Sequence, residues 1–107
     1  MTVKKLRERL STWADDKEIK LLLGDKISNF FVIAMEEFVH NITTLFIVEG
    51  EEDTPHVTVK DLRECLSEWS ANQEVKLLIG NKTSDFTTAV LNEYRGSTSR
   101  LFIVQKG

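Results

Sequence analysis

Along the first dozen residues the apolar positions fall three or four apart, at Val3, Leu6, Leu10 and Trp13, with charged side chains between them. That spacing lays one apolar stripe along a helix. Thr2 is placed to cap it, its hydroxyl accepting from amides that lack a carbonyl partner in the first turn. The same pattern returns at Thr58, Val59, Leu62, Leu66 and Trp69. Further on, Ile19, Leu21 and Leu23 alternate with Lys20 and Leu22, as Val75, Leu77 and Ile79 alternate with Lys76 and Leu78. A period of two predicts a strand in each place. Gly24-Asp25 and Gly80-Asn81 end these strands in turns, where positive φ costs Gly, Asn and Asp little. LFIV, at 45–48 and again at 101–104, reads as a short buried strand.

The pattern repeats because the sequence does. An offset of 56 aligns TVKKLRERLSTW and all that follows to LFIV with TVKDLRECLSEW and its continuation, without a gap. Three blocks carry most of the identity: TVKxLRExLSxW, ExKLLxGxK and LFIV. Chance does not preserve three blocks at one spacing. The chain is therefore read as a tandem duplication, with repeat 1 at 1–50, an acidic linker at 51–57 and repeat 2 at 58–107. A unit of about 50 residues buries too little surface to be comfortable alone. The two repeats are expected to share one core about a pseudo-twofold axis.

One stretch stays ambiguous. FFVIAMEEF and FTTAVLNEY read as strands, with Phe30, Val32, Ala34 and Phe38 on one face and Phe86, Thr88, Val90 and Tyr94 matching them. They also admit a helix, since 30, 34 and 38 are four apart, Ser28 and Ser84 are placed to cap, and Gly96 to end it. Branched and aromatic side chains favour the strand, with HNITT and RGSTS as hairpin loops. The expected class is α+β: two α-β-β-β units, with α-β-α-β as the alternative.

Composition narrows the rest. In 107 residues, 41% apolar and 29% charged content is that of a soluble globular chain. No apolar run approaches the ~20 residues that span a bilayer. Charges recur where a signal peptide needs its apolar segment, so a cytoplasmic protein without a membrane partner is expected. Cys65 is the only cysteine, which leaves no intrachain disulfide and reads as a half-buried small apolar side chain. The net charge of −3 is concentrated at Glu51, Glu52 and Asp53, and neither repeat carries the basic excess of a phosphate-backbone binder.

Candidate chemistry is sparse. The only histidines, His40 and His56, have no nucleophile or second ligand at a motif spacing and read as solvated. Glu18 and Glu74 flank the strand starts and could pair across a symmetric cleft, but Lys20 and Lys76 stand beside them. No phosphate loop or zinc spacing is present. No cofactor, metal or catalytic residue is expected, and the chain is read as a non-enzyme. Arg7 and Arg63 hold the same helical position. Two arginines about the axis could grip a carboxylate or phosphate; the simpler reading lays each stem along the apolar stripe with its head on a nearby acid.

The differences between the repeats carry the functional expectation. Ile27, Phe31, Val32, Val39 and Ile42 stand against Thr83, Thr87, Thr88, Arg95 and Thr98. In the other direction Arg9 faces Cys65, and Asp15 faces Ala71, in the alignment. Repeat 1 thus holds surplus apolar side chains; if the middle element is a strand, Phe31, Ile33 and Met35 share its second face. These either pack internally or form a surface for a protein partner or a second copy of the chain. Ile27, Phe31, Val32, Met35, Val39 and Ile42 are the candidate surface. The alternative is a nucleic-acid or anionic-ligand binder using the basic residues Arg7, Arg63, Lys20, Lys76, Lys26 and Lys82.

One resemblance rests on Thr58, Val59, Leu62 and Leu66, followed by Glu74 and Val75, and on their counterparts in repeat 1. This resembles the opening of short bacterial and bacteriophage domains that start TVxxLxxxL and enter a strand at Glu-Val. The resemblance implies a small accessory or inhibitor protein of a phage or mobile element, and it carries over no functional residue.

Overall fold

A computed structural model of the chain describes residues 1–37, 42–92 and 99–106. Two helices form where the stripes predict them, α1 at Val3–Leu10 and α2 at Val59–Ser67, each burying its Val-Leu-Leu face. The Thr2 hydroxyl accepts from the Lys5 amide at 3.2 Å. Thr58 accepts from the Asp61 amide, and its own amide donates to the Asp61 carboxylate at 3.0 Å, completing a capping box. The remaining first-turn amides find carbonyls beyond the other helix. Val3 and Lys4 donate to Gln73 and Ala71, while Val59 and Lys60 donate to Lys17 and Asp15. These donors have no partner inside a helix, so each helix start depends on the polar turn after the other.

Among the described residues nine strands follow: β1 (Glu18–Leu23), β2 (Lys26–Ser28), β3 (Phe30–Glu37), β4 (Ile42–Glu49), β5 (Val57–Thr58), β6 (Val75–Ile79), β7 (Lys82–Ser84), β8 (Phe86–Asn92) and β9 (Ser99–Gln105). They form two sheets. The first runs β2-β1-β9-β8, with β5 added on β1; the second runs β3-β4-β6-β7. The central pairs are parallel, β1 with β9 and β4 with β6, and the other ladders are antiparallel. Each sheet therefore mixes strands from residues 18–49 with strands from residues 75–105.

One buried cluster joins everything. Val3, Leu6 and Leu10 of α1 and Val59, Leu62 and Leu66 of α2 meet Ile19, Leu21, Leu101 and Ile103 of the first sheet and Leu45, Ile47, Val75 and Leu77 of the second. Phe30 and Phe86 close it, and Trp13 and Trp69 pack against it half-buried. The radius of gyration, 13.8 Å, is near the ~13 Å of a folded domain of about 100 residues.

The ambiguous stretches are strands. From Phe30 to Glu37 every residue stands opposite one in β4, and Phe86 to Asn92 stand opposite β9. The helical spacing at 30, 34 and 38 loses because Phe, Val and Ile give up rotamers in a helix but pack well on a pleated surface. The expected unit also lacked a strand. After Gly24 and Gly80, held at φ 63 and 62, the chain turns straight into β2 and β7, pairing Leu23 with Lys26 and Ile79 with Lys82. Ile42, Thr43 and Thr44 of the first expected loop belong to β4, and Ser99 of the second to β9. The rest of the expected loops, with His40 and Gly96, lies outside the described residues.

The reciprocal cap at Thr58 generates a direct expectation. Thr58→Ala should lower the unfolding free energy by about 1 kcal/mol, read as a shift of the urea midpoint. Asp61→Ala should add less in that background than alone, because the two share one pair of bonds. Independent, fully additive losses would contradict the shared cap.

Candidate interaction surface

Alternation decides which side chains leave the core. In β4, Leu45 and Ile47 point inward and are buried, so Thr44, Phe46 and Val48 point outward. Register then builds rows on the outer face of the second sheet. Phe31 stands beside Val48, which stands beside Leu78; Ile33 stands beside Phe46, which stands beside Lys76; Met35 stands beside Thr44. Phe31 is 42% exposed and Met35 51%, and Ile33, Phe46, Val48 and Leu78 are half-buried.

The outer face of the first sheet has a similar layout and a different fate. Lys20 stands beside Phe102, and Leu22 beside Val104. Phe102 is 3% exposed and Lys20 8%, although neither belongs to the inner cluster. The segment 50–57 lies against this face. Lys20 Nζ donates to Asn29 Oδ1 at 2.5 Å and meets His56 Nδ1 at 2.6 Å, with the Glu18 carboxylate 3.9 Å away. Asn29 Nδ2 in turn donates to the Thr54 carbonyl at 3.0 Å. Gly50 allows the turn: a Cβ there would fall 2.6 Å from Thr54 Oγ1. Beside it runs an open groove of about 540 Å³, lined by Lys20, Lys26, Asn29, Glu49, Glu51 and Glu52 among others.

The corresponding pair in the second sheet is simpler. Lys76 donates to the Asp85 carboxylate at 3.2 Å, and this hydrogen bond, with the lysine's charge, holds the Asp85 carboxyl below the usual carboxylate range. Asp85 aligns with Asn29, so the lysine of the first sheet meets an amide and an imidazole where Lys76 meets a carboxylate.

The expected surface residues do not fall together. Phe31 and Met35 lie on the outer face of the second sheet. Val32, between them, is half-buried and packs against the inner cluster; neighbours on a strand point to opposite faces. Ile27 is exposed, but on β2 of the first sheet, because β1 and β2 enter one sheet while β3 and β4 enter the other. Ile42 pairs with Glu37 at the start of β4, and Val39 lies outside the described residues. Phe46, Val48 and Leu78 join the surface although the sequence marked none of them. LFIV reads as wholly buried, whereas period two sends its second and fourth residues outward.

The six basic residues are dispersed in the same way. Arg7 donates to the carbonyls of Leu66 and Trp69 at the end of α2, the latter at 3.0 Å. Its head meets main-chain carbonyls, then, where an acid was expected. Arg63 does meet an acid, Asp15, and Asp15 aligns with Ala71, which explains why Arg7 has no such partner. Lys26 pairs with Glu49 at 3.0 Å, Lys82 is exposed on β7, and Lys20 and Lys76 lie on the outer faces of different sheets. Glu18 and Glu74 each keep a local cation, Lys20 and the amino terminus, at 3.9 and 3.8 Å. Among the described residues no group of three or more His, Cys, Asp or Glu is placed to hold a metal, and no helix is long and apolar enough to cross a membrane.

Comparison with known protein families, curated proteins and solved structures finds no match to this chain.

Burial, reinforced by Glu68, pushes the Cys65 thiol above its ordinary value. Since the thiolate is the reacting species, Cys65 should label slowly with a disulfide reagent at neutral pH and much faster once urea unfolds the chain. Equal rates in both states would contradict the burial argument.

Proposed function

We propose that this chain is a non-catalytic binding module, a duplicated unit whose two copies exchange strands, and that it engages a protein through the outer face of its second sheet. One observation carries the reading. Segment 50–57 lies against the face of the first sheet, with His56 on Lys20 and Thr54 on Asn29, while the corresponding face of the second presents Phe31, Ile33, Met35, Phe46, Val48 and Leu78 without such a segment among the described residues. A contiguous apolar surface of this kind is costly to leave in water and is typical of interaction sites. Alignment supports the same face, since Phe31 stands where the other copy has Thr87. The dispersal of the six basic residues gives no comparable support to an anion-binding role.

The double substitution Phe31→Thr, Met35→Thr tests the proposal, because both side chains are exposed and the inner cluster does not use them. It should leave the urea midpoint nearly unchanged and weaken capture of partners by the immobilised protein at least tenfold, which is about 1.4 kcal/mol. Val32→Thr should do the reverse, costing about 1 kcal/mol of stability because a half-buried methyl packed on the inner cluster gives way to a hydroxyl, with binding retained. Undiminished binding by the folded double variant would overturn the proposal.

A further inference from the structure

The open surface ends at an open strand. Among the described residues β3 is an edge of the second sheet, paired with β4 alone. Gly50 donates its amide to the Asn29 carbonyl at 2.8 Å, which makes Asn29 and Gly50 a hydrogen-bonded pair. Bonding alternates along an antiparallel ladder, so Phe31, Ile33 and Met35 also spend their backbone groups on β4. The N–H and C=O groups of Val32 and Ala34 therefore point to the free edge. The segment from Phe30 to Met35 contains no charged residue, and charge and proline are the usual devices that keep an edge from pairing.

The edge of the first sheet is treated differently. There β8 presents Thr87 and Thr88, and Arg9 reaches from α1 to donate to Thr88 Oγ1 at 3.2 Å. In the alignment Arg9 becomes Cys65 and Thr88 becomes Val32. Both members of the polar pair have apolar counterparts, and one of them, Val32, lies on β3 itself.

Only an extended backbone satisfies such an edge, and β3 complements itself. We infer that two copies of this chain pair antiparallel along β3, with Ile33 opposite Ile33 of the second copy. That register sets Phe31 opposite Met35 and Val32 opposite Ala34, each an apolar pair, and Val32 and Ala34 exchange the free hydrogen bonds. Glu36 and Glu37 then fall opposite Phe30 and Asn29, so no acid meets an acid. Sliding two residues one way puts Phe31 opposite Glu37; sliding the other way puts Met35 opposite Asn29. Of these three registers none keeps more apolar pairs than the chosen one, and it alone sets the two exposed side chains, Phe31 and Met35, against each other. The two second sheets become one continuous sheet, with their open faces side by side. This inference rests on the same surface as the proposed function and names a second copy as its first occupant.

Solution mass and a cross-link test it. Sedimentation of the full chain should give a dimer at micromolar to millimolar concentration. Ala34→Pro should give a monomer, because proline removes an outward donor and leaves the β4 ladder intact. With Cys65→Ser as background, Ile33→Cys should oxidise to a covalent dimer, since facing residues place their Cβ atoms about 5 Å apart. Met35→Cys should not, because it faces Phe31. A monomeric wild type, or a dimer that neither loses mass with Ala34→Pro nor cross-links at position 33, overturns the inference. A dimer that survives Ala34→Pro and dissociates with Phe31→Thr, Met35→Thr also overturns it, while leaving the open face as the docking site. A monomeric wild type whose partner capture still depends on Phe31 and Met35 likewise separates the two claims.

Discussion

Two parallel strand pairs, β1 with β9 and β4 with β6, hold the remainder of the molecule in place. Without β9, β1 would show a row of unpaired amides and carbonyls at the middle of a sheet, and β4 would do the same without β6. Leaving such groups unmet in a buried strand costs far more than the net gain of making a bond. The helices obey the same constraint at their ends, because their first amides are satisfied by carbonyls at 71–73 and 15–17. Every route from the start of the chain to the core thus passes through residues contributed by its end.

That interleaving explains why differences between aligned stretches do not collect on one surface. Residues 18–28 and 30–49 travel to different sheets, so Ile27 and Phe31, four apart in sequence, serve different faces. Differences that do meet in space are chemically matched. Asp15 faces Arg63, where Ala71 leaves Arg7 to the helix carbonyls. Arg9 meets Thr88, where the aligned pair is Cys65 and Val32. Asn29 and His56 hold Lys20, where Asp85 holds Lys76. Lys20, buried, is held by Asn29 and His56 with the Glu18 carboxylate 3.9 Å away, and these contacts tie segment 50–57 to the outer face of the first sheet. Among the described residues this segment lies on the face of the first sheet only.

Much of the architecture was legible because it is periodic. The helical stripes, the strands at 19–23 and 75–79 and the turns at Gly24 and Gly80 follow from local spacing alone. β2 and β7 were missed although a two-residue Gly-Asp or Gly-Asn connection is itself a hairpin signal; three-residue strands carry too little pattern to be seen. Partnership was not legible. Nothing in Leu45–Val48 or Leu101–Val104 says that each pairs in parallel with a strand of the other stretch, and the outward exposure of Phe46 depends on that pairing. The candidate site was half visible. Phe31 and Met35 stood out by exchange or by face, while Val32 was a strand neighbour pointing inward, and Phe46, Val48 and Leu78 are shared positions that no comparison within the sequence marks.

Native-state hydrogen exchange of the full chain, residue by residue, tests the central dependence most directly. If both sheets rest on strands from both ends of the chain, the ladder amides of β1, β9, β4 and β6 exchange only through one cooperative opening, with a common free energy equal to that of global unfolding. Protection that splits into two levels, with β1 and β9 opening while β4 and β6 stay closed, would contradict it.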